Sequence, residues 1–256
     1  MGSLRSFDGT EIVYDDWGAD RLGVPIVLHH GFAASVVANW TAPGVVDKLL
    51  PLGRRIVALD ARGHGRSGKP HDPAAYADGA MVKDTRALID HLGVDRIDLV
   101  GYSMGAHVSL GVATEETRVR SVVLGGIGGA TVTGAAFDRS EIADGLIVED
   151  ASTITNARAK GFRRFAEATK ADRFALAAVM RADGVRPTGL DRIAVPCMVL
   201  VGTEDDLAAN VHDLLDAIPG AKLVTVPGDH LSAVAEPAFA EALVDFLAGV
   251  EAGAST

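Results

Sequence analysis

Apolar residues concentrate in short runs, separated by longer stretches in which apolar positions recur with helical spacing. The runs are rich in β-branched residues, and they occupy 26–28, 55–59, 97–100, 119–124, 197–201 and 223–226. Continuous rather than alternating hydrophobicity is typical of strands that are covered on both faces. Because helical stretches separate these runs, the pattern predicts an α/β fold built on a mostly parallel central sheet with helices on both faces.

The first strands and the flanking helices have their own signals. Two short alternating runs within 4–14 are separated by Asp8 and Gly9, a turn dipeptide, which predicts an antiparallel hairpin at the sheet edge. Helical spacing between later strands predicts helices over 84–92, 103–113 and 237–247.

Residues from about 131 to 191 interrupt this alternation of strands and helices. The segment is rich in Ala and Arg and predicts helices over 156–169 and 173–180, without a strand-like run. An insertion at the carboxyl end of a parallel sheet would lie over the crevice where such folds bind ligands. We therefore predict a lid, with a purely structural helical pair packed away from any site as the alternative.

Charge and cysteine content narrow the class of protein. The chain has 24 Lys+Arg against 34 Asp+Glu, a net charge of −10, and no basic block, so nucleic acid is not an expected partner. The single cysteine, Cys197, lies in a predicted buried strand and excludes an intrachain disulfide. With neither a secretory pattern nor about 18 uninterrupted apolar residues, we expect a cytoplasmic protein that does not enter the membrane.

The strongest chemical signal is Gly-Tyr-Ser-Met-Gly at 101–105, which follows a predicted strand and precedes a predicted helix. This is the context of a nucleophile elbow, in which glycines permit a sharp turn that exposes the serine hydroxyl. The helix N-terminus behind Ser103 stabilises negative charge. A serine hydroxyl is a weak nucleophile, so a base must lie within hydrogen-bond reach and a third group must orient that base.

The base and the orienting acid are expected at the carboxyl ends of later strands. His230 follows the strand at 223–226, and Gly-Thr-Glu-Asp-Asp at 202–206 follows the strand at 197–201, so both lie on the same rim as Ser103. The other histidines have ordinary interpretations as core, turn or helix-surface residues, and they are His29, His30, His64, His71, His91, His107 and His212.

A tetrahedral oxyanion needs two rigid backbone N–H donors. The N–H of Met104, directly after the nucleophile, is one candidate. The second candidate is the N–H of Phe32, in the loop after the strand at 26–28, where Gly31 lets the backbone turn sharply.

Taken together, these motifs resemble the α/β-hydrolase superfamily from about Arg5 to the last helix. The matching pieces are His30-Gly31-Phe32, the segment 60–67, the elbow at Ser103, the stretch from Gly202 to Asp205, and His230 followed by Glu236-Pro237. The resemblance implies one α/β-hydrolase domain over 1–256 with a small helical lid at about 131–191.

The resemblance also assigns site residues. It implies the chain order Ser103, Asp205, His230 for a catalytic triad, with Phe32 and Met104 forming the oxyanion hole. Relatives place the acid three residues after the strand-end glycine, here Gly202, which favours Asp205 over the adjacent Asp206. The segment 60–67 is interpreted as structural.

The motifs identify the fold more specifically than the substrate. The same motifs occur in esterases, lactonases, cofactor-free haloperoxidases and perhydrolases, carbon–carbon bond hydrolases and aminopeptidases. Epoxide hydrolases and haloalkane dehalogenases of this superfamily carry aspartate at the elbow, so Ser103 disfavours them. We expect a serine hydrolase of a small carboxylic ester or lactone that uses no cofactor and no metal. The alternatives are a carbon–carbon bond hydrolase or a haloperoxidase/perhydrolase with the same triad, and a slow-turnover ligand receptor or signalling protein.

The composition of the predicted lid bears on substrate size. Its aromatic residues are only Phe137, Phe162, Phe165 and Phe174, which predicts a modest pocket and a preference for short acyl groups. Its arginines, such as Arg158, Arg163 and Arg164, are expected in solvent on the outer helix face, although one that turned inward would favour an anionic substrate.

Overall fold

Eight strands form one sheet in the computed structural model, which describes residues 1–134, 139–183 and 187–254. The strands are β1 (Gly2–Arg5), β2 (Glu11–Trp17), β3 (Ile26–His29), β4 (Ile56–Leu59), β5 (Ile97–Tyr102), β6 (Val119–Gly125), β7 (Cys197–Gly202) and β8 (Lys222–Val226). Their order across the sheet is β1-β2-β4-β3-β5-β6-β7-β8. β1 and β2 form the antiparallel edge hairpin, and β3 to β8 are parallel, so both predictions are confirmed.

The helices flank the sheet and extend the predicted set. They are α1 (Val45–Leu49), α2 (Ala80–Leu92), α3 (Met104–Glu115), α4 (Ala130–Thr133), α5 (Arg139–Ile147), α6 (Ala157–Ala168), α7 (Arg173–Arg181), α8 (Val211–Ala217) and α9 (Pro237–Ala254). α2 begins before the predicted residue 84 and α9 continues past residue 247. None of the helices in the described part of the chain combines the length and the apolar character that crossing a bilayer requires.

Two apolar clusters cover the two faces of the sheet. Successive residues of β3 point to opposite faces, so Val27 packs in one cluster while Ile26 and Leu28 pack in the other. All four residues of β3 are buried. This burial on both faces explains why residues 26–28 are continuously apolar rather than alternating.

The helices α5, α6 and α7 form a third apolar cluster with the loop that follows β3. The ring of Phe162 in α6 meets the ring of Phe32 edge to face, with 5.4 Å between their centroids. The predicted lid segment therefore contacts a loop at the carboxyl end of the sheet. Of its predicted aromatics, Phe137 lies outside the described residues.

The expectation that Arg163 faces solvent is wrong. Its side chain is buried and donates to the carbonyl oxygens of Gly145, Leu146 and Val148, at 3.1, 3.3 and 2.7 Å. These carbonyl groups lie at the C-terminal end of α5, where no following helical turn supplies N–H donors for them. Arg163 therefore holds α5 against α6.

Candidate active site

Ser103 lies at a strained turn between β5 and α3. Its φ is 53° and its ψ is −113°, a backbone conformation that residues other than glycine rarely adopt. A Cβ atom at Gly105 would lie 2.0 Å from the carbonyl oxygen of His29, and one at Gly101 would lie 2.3 Å from that of Gly105. The close approach of these backbone segments therefore requires glycine on both sides of the serine.

The structure brings Ser103, His230 and Asp205 together in a hydrogen-bonded series. Nε2 of His230 lies 2.9 Å from Oγ of Ser103, and Nδ1 lies 2.9 and 3.0 Å from the two carboxylate oxygens of Asp205. Because a carboxylate only accepts hydrogen bonds, Nδ1 carries the ring proton. Nε2 is then left to accept the proton of the serine hydroxyl.

The neighbouring strands β7 and β8 place the acid and the base side by side. The N–H of Thr203 donates to the carbonyl oxygen of Val226 at 2.8 Å, and that of Glu204 donates to the carbonyl oxygen of Gly228 at 3.0 Å. The loop that carries Asp205 is thereby attached to the loop that carries His230. The pairing of β7 with β8 therefore brings Asp205 and His230 together although they are distant in sequence.

Asp205 and Asp206 have different surroundings although they are adjacent. The Asp205 side chain is fully buried, and its Oδ1 also accepts from the N–H groups of Leu207 and Ala208 at 3.0 and 3.2 Å. The Asp206 side chain is 79% exposed and lies 3.5 Å from Arg158. Of the two carboxylates, it is that of Asp205 that contacts His230.

The two predicted oxyanion donors flank Ser103. A Cβ atom at Gly31 would lie only 3.4 Å from Cβ of Ser103, so the loop leading into Phe32 approaches the nucleophile closely. Within residues 1–134, 139–183 and 187–254, neither the N–H of Phe32 nor that of Met104 donates to a protein acceptor. Both residues line the cavity beside Ser103, and neither N–H group has a protein acceptor in those ranges.

Two further residues position this site, and the sequence analysis did not find them. Oδ1 of Asn39 accepts the N–H of Gly31 at 2.9 Å, which fixes the loop before Phe32. The hydroxyl of Tyr102 donates to the carbonyl oxygen of His230 at 2.7 Å. Burial raises the pKa of Tyr102, so its hydroxyl keeps the proton that it donates. The tyrosine precedes the nucleophile directly, which is the one local signal that could have identified it.

A cavity of 480 Å³ opens above Ser103, within the usual volume range of small-molecule sites. Its apolar lining comes from the sheet loops, α2, α3 and the inserted helices, and includes Phe32, Tyr76, Met81, Val82, Met104, Val108, Phe162, Val179 and Met180. Arg139 and Arg158 also line the cavity, together with Asp183 and Asp206. With two side chains of each charge, the lining gives no net preference for an anionic substrate.

His107 is an exposed residue of α3, as its helix-surface interpretation expects, and it also lines this cavity. It follows Ser103 by four residues in α3, and residues at that spacing share one face of a helix. The spacing alone could have placed it beside the nucleophile. Across the described ranges, no group of three or more His, Cys, Asp or Glu side chains forms a potential metal site.

Three buried histidines lie behind the Phe32 loop. Burial lowers the pKa of His29 and of His64 to about 4 each, and lowers that of His30 well below its ordinary range. The ring of His64 packs edge to face on that of Phe32, with 5.7 Å between centroids. These histidines are therefore neutral in the folded protein at neutral pH and support the loop as uncharged rings.

We expect these histidines to make the protein acid-sensitive. As pH falls below about 6.5, the unfolded histidines bind protons while the folded ones do not until about pH 4, so stability present above pH 6.5 is lost in that window. Between about pH 7.5 and pH 5, His29 and His64 should each remove about 2 kcal/mol from the free energy of unfolding. Urea unfolding at the two pH values measures this loss.

The matched variants for that experiment are His64→Gln and His212→Gln. His64 is buried and His212 is exposed on α8, so only the first should reduce the difference in stability between the two pH values. An unchanged difference in the His64 variant would contradict the assignment.

A sequence model described as the alpha/beta hydrolase fold matches residues 24–174, more than half of the chain. The matched range contains β3, the Phe32 loop, the elbow at Ser103 and most of the inserted helices. The chain belongs to the α/β-hydrolase fold family. In this chain the parallel sheet places the strained Ser103 and the strand-end His230 within hydrogen-bond distance of each other.

Individual members of the family show the range of related proteins. The chain is 42% identical to a non-heme haloperoxidase from Rhodococcus erythropolis over 108 residues, 41% of this chain and 35% of that protein. It is 37% identical to 2-hydroxy-6-oxo-2,4-heptadienoate hydrolase from Pseudomonas putida over 147 residues, 57% of this chain and 49% of that protein. The chain thus spans about a third to a half of the length of the curated relatives that it matches.

Among solved structures, the fold is similar to that of the enol-lactonase from Burkholderia xenovorans LB400. The TM-score is 0.74 at 25% sequence identity, over 96% of this chain and 100% of that one. The similarity therefore extends over the whole α/β-hydrolase fold, including the inserted helices.

Proposed function

We propose that this protein is a serine hydrolase that cleaves a small carboxylic ester or lactone through an acyl-enzyme. One observation carries the proposal, the hydrogen-bonded series from Oγ of Ser103 through His230 to the buried carboxylate of Asp205. A base within 2.9 Å of the hydroxyl, itself oriented by a carboxylate, is the arrangement that activates a serine for acyl transfer.

In the proposed reaction, Oγ of Ser103 bonds to the substrate carbonyl carbon while Nε2 of His230 takes the hydroxyl proton. The carbonyl oxygen becomes an oxyanion that accepts hydrogen bonds from the N–H groups of Phe32 and Met104. When the carbon–oxygen ester bond breaks, His230 returns its proton to the leaving alkoxide. A water, deprotonated by His230, then attacks the acyl-enzyme, and its collapse releases the carboxylic acid and restores the serine hydroxyl.

The related proteins support this reaction class and keep two rivals open. Similarity to an enol-lactonase favours cleavage of an acyl–oxygen bond. The haloperoxidase relative favours a perhydrolase, in which hydrogen peroxide replaces water in the second half of the reaction. The heptadienoate hydrolase relative favours cleavage of a carbon–carbon bond beside a carbonyl group. The cytoplasmic location remains a prediction.

A substrate panel separates these possibilities. Wild-type protein is assayed with simple esters, with five- and six-membered lactones, with an ester plus hydrogen peroxide, and with a dienoate that requires carbon–carbon cleavage. We expect ester or lactone turnover to have the highest kcat/KM. Faster peracid formation or carbon–carbon cleavage would replace the proposal with the corresponding rival, and a single turnover under excess ester would indicate a receptor.

We expect short acyl groups to react better than long ones. The lining of the 480 Å³ cavity contains charged as well as apolar side chains, and a long alkyl chain packed against charged groups would remove their hydration without offering a hydrogen bond. The value of kcat/KM for p-nitrophenyl esters should therefore fall beyond about six carbons.

The control for chain length compares two phenylalanines of the inserted helices. Phe162→Ala enlarges the cavity and should shift the optimum to longer chains, whereas Phe174, which is 54% exposed and outside the lining, should leave it unchanged when replaced by Ala. A steady rise beyond eight carbons in the wild type would contradict the prediction and indicate a long hydrophobic channel.

A further inference from the structure

His107 presents an imidazole to the cavity in a fixed orientation. Its Nδ1 lies 3.0 Å from the backbone carbonyl oxygen of Ser103, one turn earlier in α3. A carbonyl oxygen only accepts hydrogen bonds, so Nδ1 is the nitrogen that carries the proton. This hydrogen bond to Ser103 fixes the ring of His107, and Nε2 can bind a different partner.

The second ring nitrogen is an acceptor. Although His107 is an exposed residue of α3, loss of hydration around its ring lowers its pKa, and the nearby Arg139 and His230 lower that pKa further, so the imidazole is neutral at neutral pH. With Nδ1 protonated, Nε2 carries a lone pair and no hydrogen. Its partner among the described residues is Oγ1 of Thr131 in α4, at 3.3 Å.

That contact is long for a hydrogen bond from a hydroxyl, which ordinarily spans about 2.5–3.0 Å between heavy atoms. Thr131 lines the same cavity and its residue surface is only 6% exposed. The cavity therefore contains an acceptor and a neighbouring hydroxyl that are only weakly paired with each other.

We propose that His107 and Thr131 form a subsite for a hydroxyl group of the substrate, so that the preferred ester or lactone is hydroxylated. The substrate hydroxyl donates to Nε2 of His107 and accepts from the hydroxyl of Thr131. A carboxylate has no hydrogen to donate to Nε2, and an alkyl group would make no hydrogen bond with either side chain. This inference rests on the proposed ester or lactone cleavage and adds to it the substrate class.

The subsite is displaced from the reacting atoms along α3. Four residues of helix advance by about 6 Å, so the recognised hydroxyl stands several bonds from the carbonyl carbon. It can belong to the acyl group or to the alcohol group. The experiment therefore includes an arm for each.

The experiment uses pairs of esters that differ only by a hydroxyl in place of a methyl group. The acyl arm compares methyl 6-hydroxyhexanoate with methyl heptanoate and methyl 3-hydroxybutanoate with methyl 3-methylbutanoate. The alcohol arm compares 2-hydroxyethyl butanoate with propyl butanoate. Hydrolysis is followed by acid release, and in at least one pair we expect the wild type to favour the hydroxylated ester on the order of tenfold in kcat/KM.

Four variants test which residues produce that ratio. His107→Leu and Thr131→Val should each bring the ratio towards one, and His107→Gln, whose side-chain oxygen can accept in place of Nε2, should keep part of the preference. His212→Leu replaces a histidine outside the cavity and should leave the ratio unchanged.

The outcomes separate this inference from the proposed function. Hydrolysis of all the esters with ratios near one in every pair would overturn the hydroxyl subsite and leave the ester function standing. A preference that persists in both His107→Leu and Thr131→Val would also overturn it. If the wild type cleaves none of the esters, the ester function fails and the subsite fails with it.

Discussion

Ser103→Ala should fold as the wild type does and lose nearly all hydrolysis, at least about 10⁴-fold in kcat. Without Oγ there is no atom to form the acyl-enzyme, and only binding and the two N–H donors remain to assist water. The substitution leaves the strained backbone at φ 53° in place and removes one hydroxyl, so the site around His230 should keep its shape. Steady-state rates with the best ester of the panel measure the loss.

A fluorophosphonate probe tests the same assignment without knowledge of the substrate. Oγ of the activated serine displaces fluoride from phosphorus, so intact mass should show one label per wild-type chain and none in the Ser103 variant. The matched control is Ser109→Ala in the same helix, whose buried hydroxyl has no partner in the described structure and whose loss should change neither labelling nor rate. Labelling retained in Ser103→Ala would show that another residue is the nucleophile.

The fold was predictable because the parallel strands β3 to β7 are buried on both faces. A run such as 26–28 has no polar alternation, and the helical stretches between such runs leave few arrangements other than a covered parallel sheet. The helices α1, α4, α5 and α8 were not predicted. Of these, α1, α4 and α8 have 5, 4 and 7 residues and are too short to display a repeating apolar face.

Some residues of the candidate site could be identified from the sequence and others could not. Ser103 and His230 follow strands directly, so their rim position follows from local sequence and the parallel topology. His107 and Asn39 act through contacts that only the folded chain creates, namely the anchoring of one ring to Ser103 and of one side chain to Gly31. Nothing in the immediate sequence of Asn39 marks it, whereas the four-residue spacing of His107 from Ser103 is a signal that the sequence contains.

The sequence alone does not show which of Asp205 and Asp206 orients His230, because that depends on the direction of the two side chains. Both are carboxylates on the same loop, and counting from Gly202 favours the first only by resemblance to relatives. In the structure, the Asp205 side chain turns inward to the N–H groups of Leu207 and Ala208 and to His230, while Asp206 faces solvent and Arg158. Backbone geometry thus gives the two carboxylates different surroundings. We therefore expect the Asn variants at the two positions to differ clearly in activity.

Asp205→Asn should reduce kcat by about 10⁴-fold, because an amide cannot serve every contact that the carboxylate makes. Oδ1 would keep the N–H donors of Leu207 and Ala208, which leaves the amide NH₂ facing Nδ1 of His230. Nδ1 must then give up its proton to accept from the amide, and Nε2, now protonated, can no longer take the proton of Ser103.

Asp206→Asn is the matched control, since it makes the same chemical change one residue away. That side chain is 79% exposed and its pair with Arg158 spans 3.5 Å, so its loss should change kcat/KM by no more than a few-fold. Both variants should be compared with the wild type at saturating ester and by their rates of fluorophosphonate labelling, which also require the serine proton to be removed. If Asp206→Asn lost more activity than Asp205→Asn, the orienting acid would be Asp206, and the contact between Asp205 and His230 would have to be assigned a structural role.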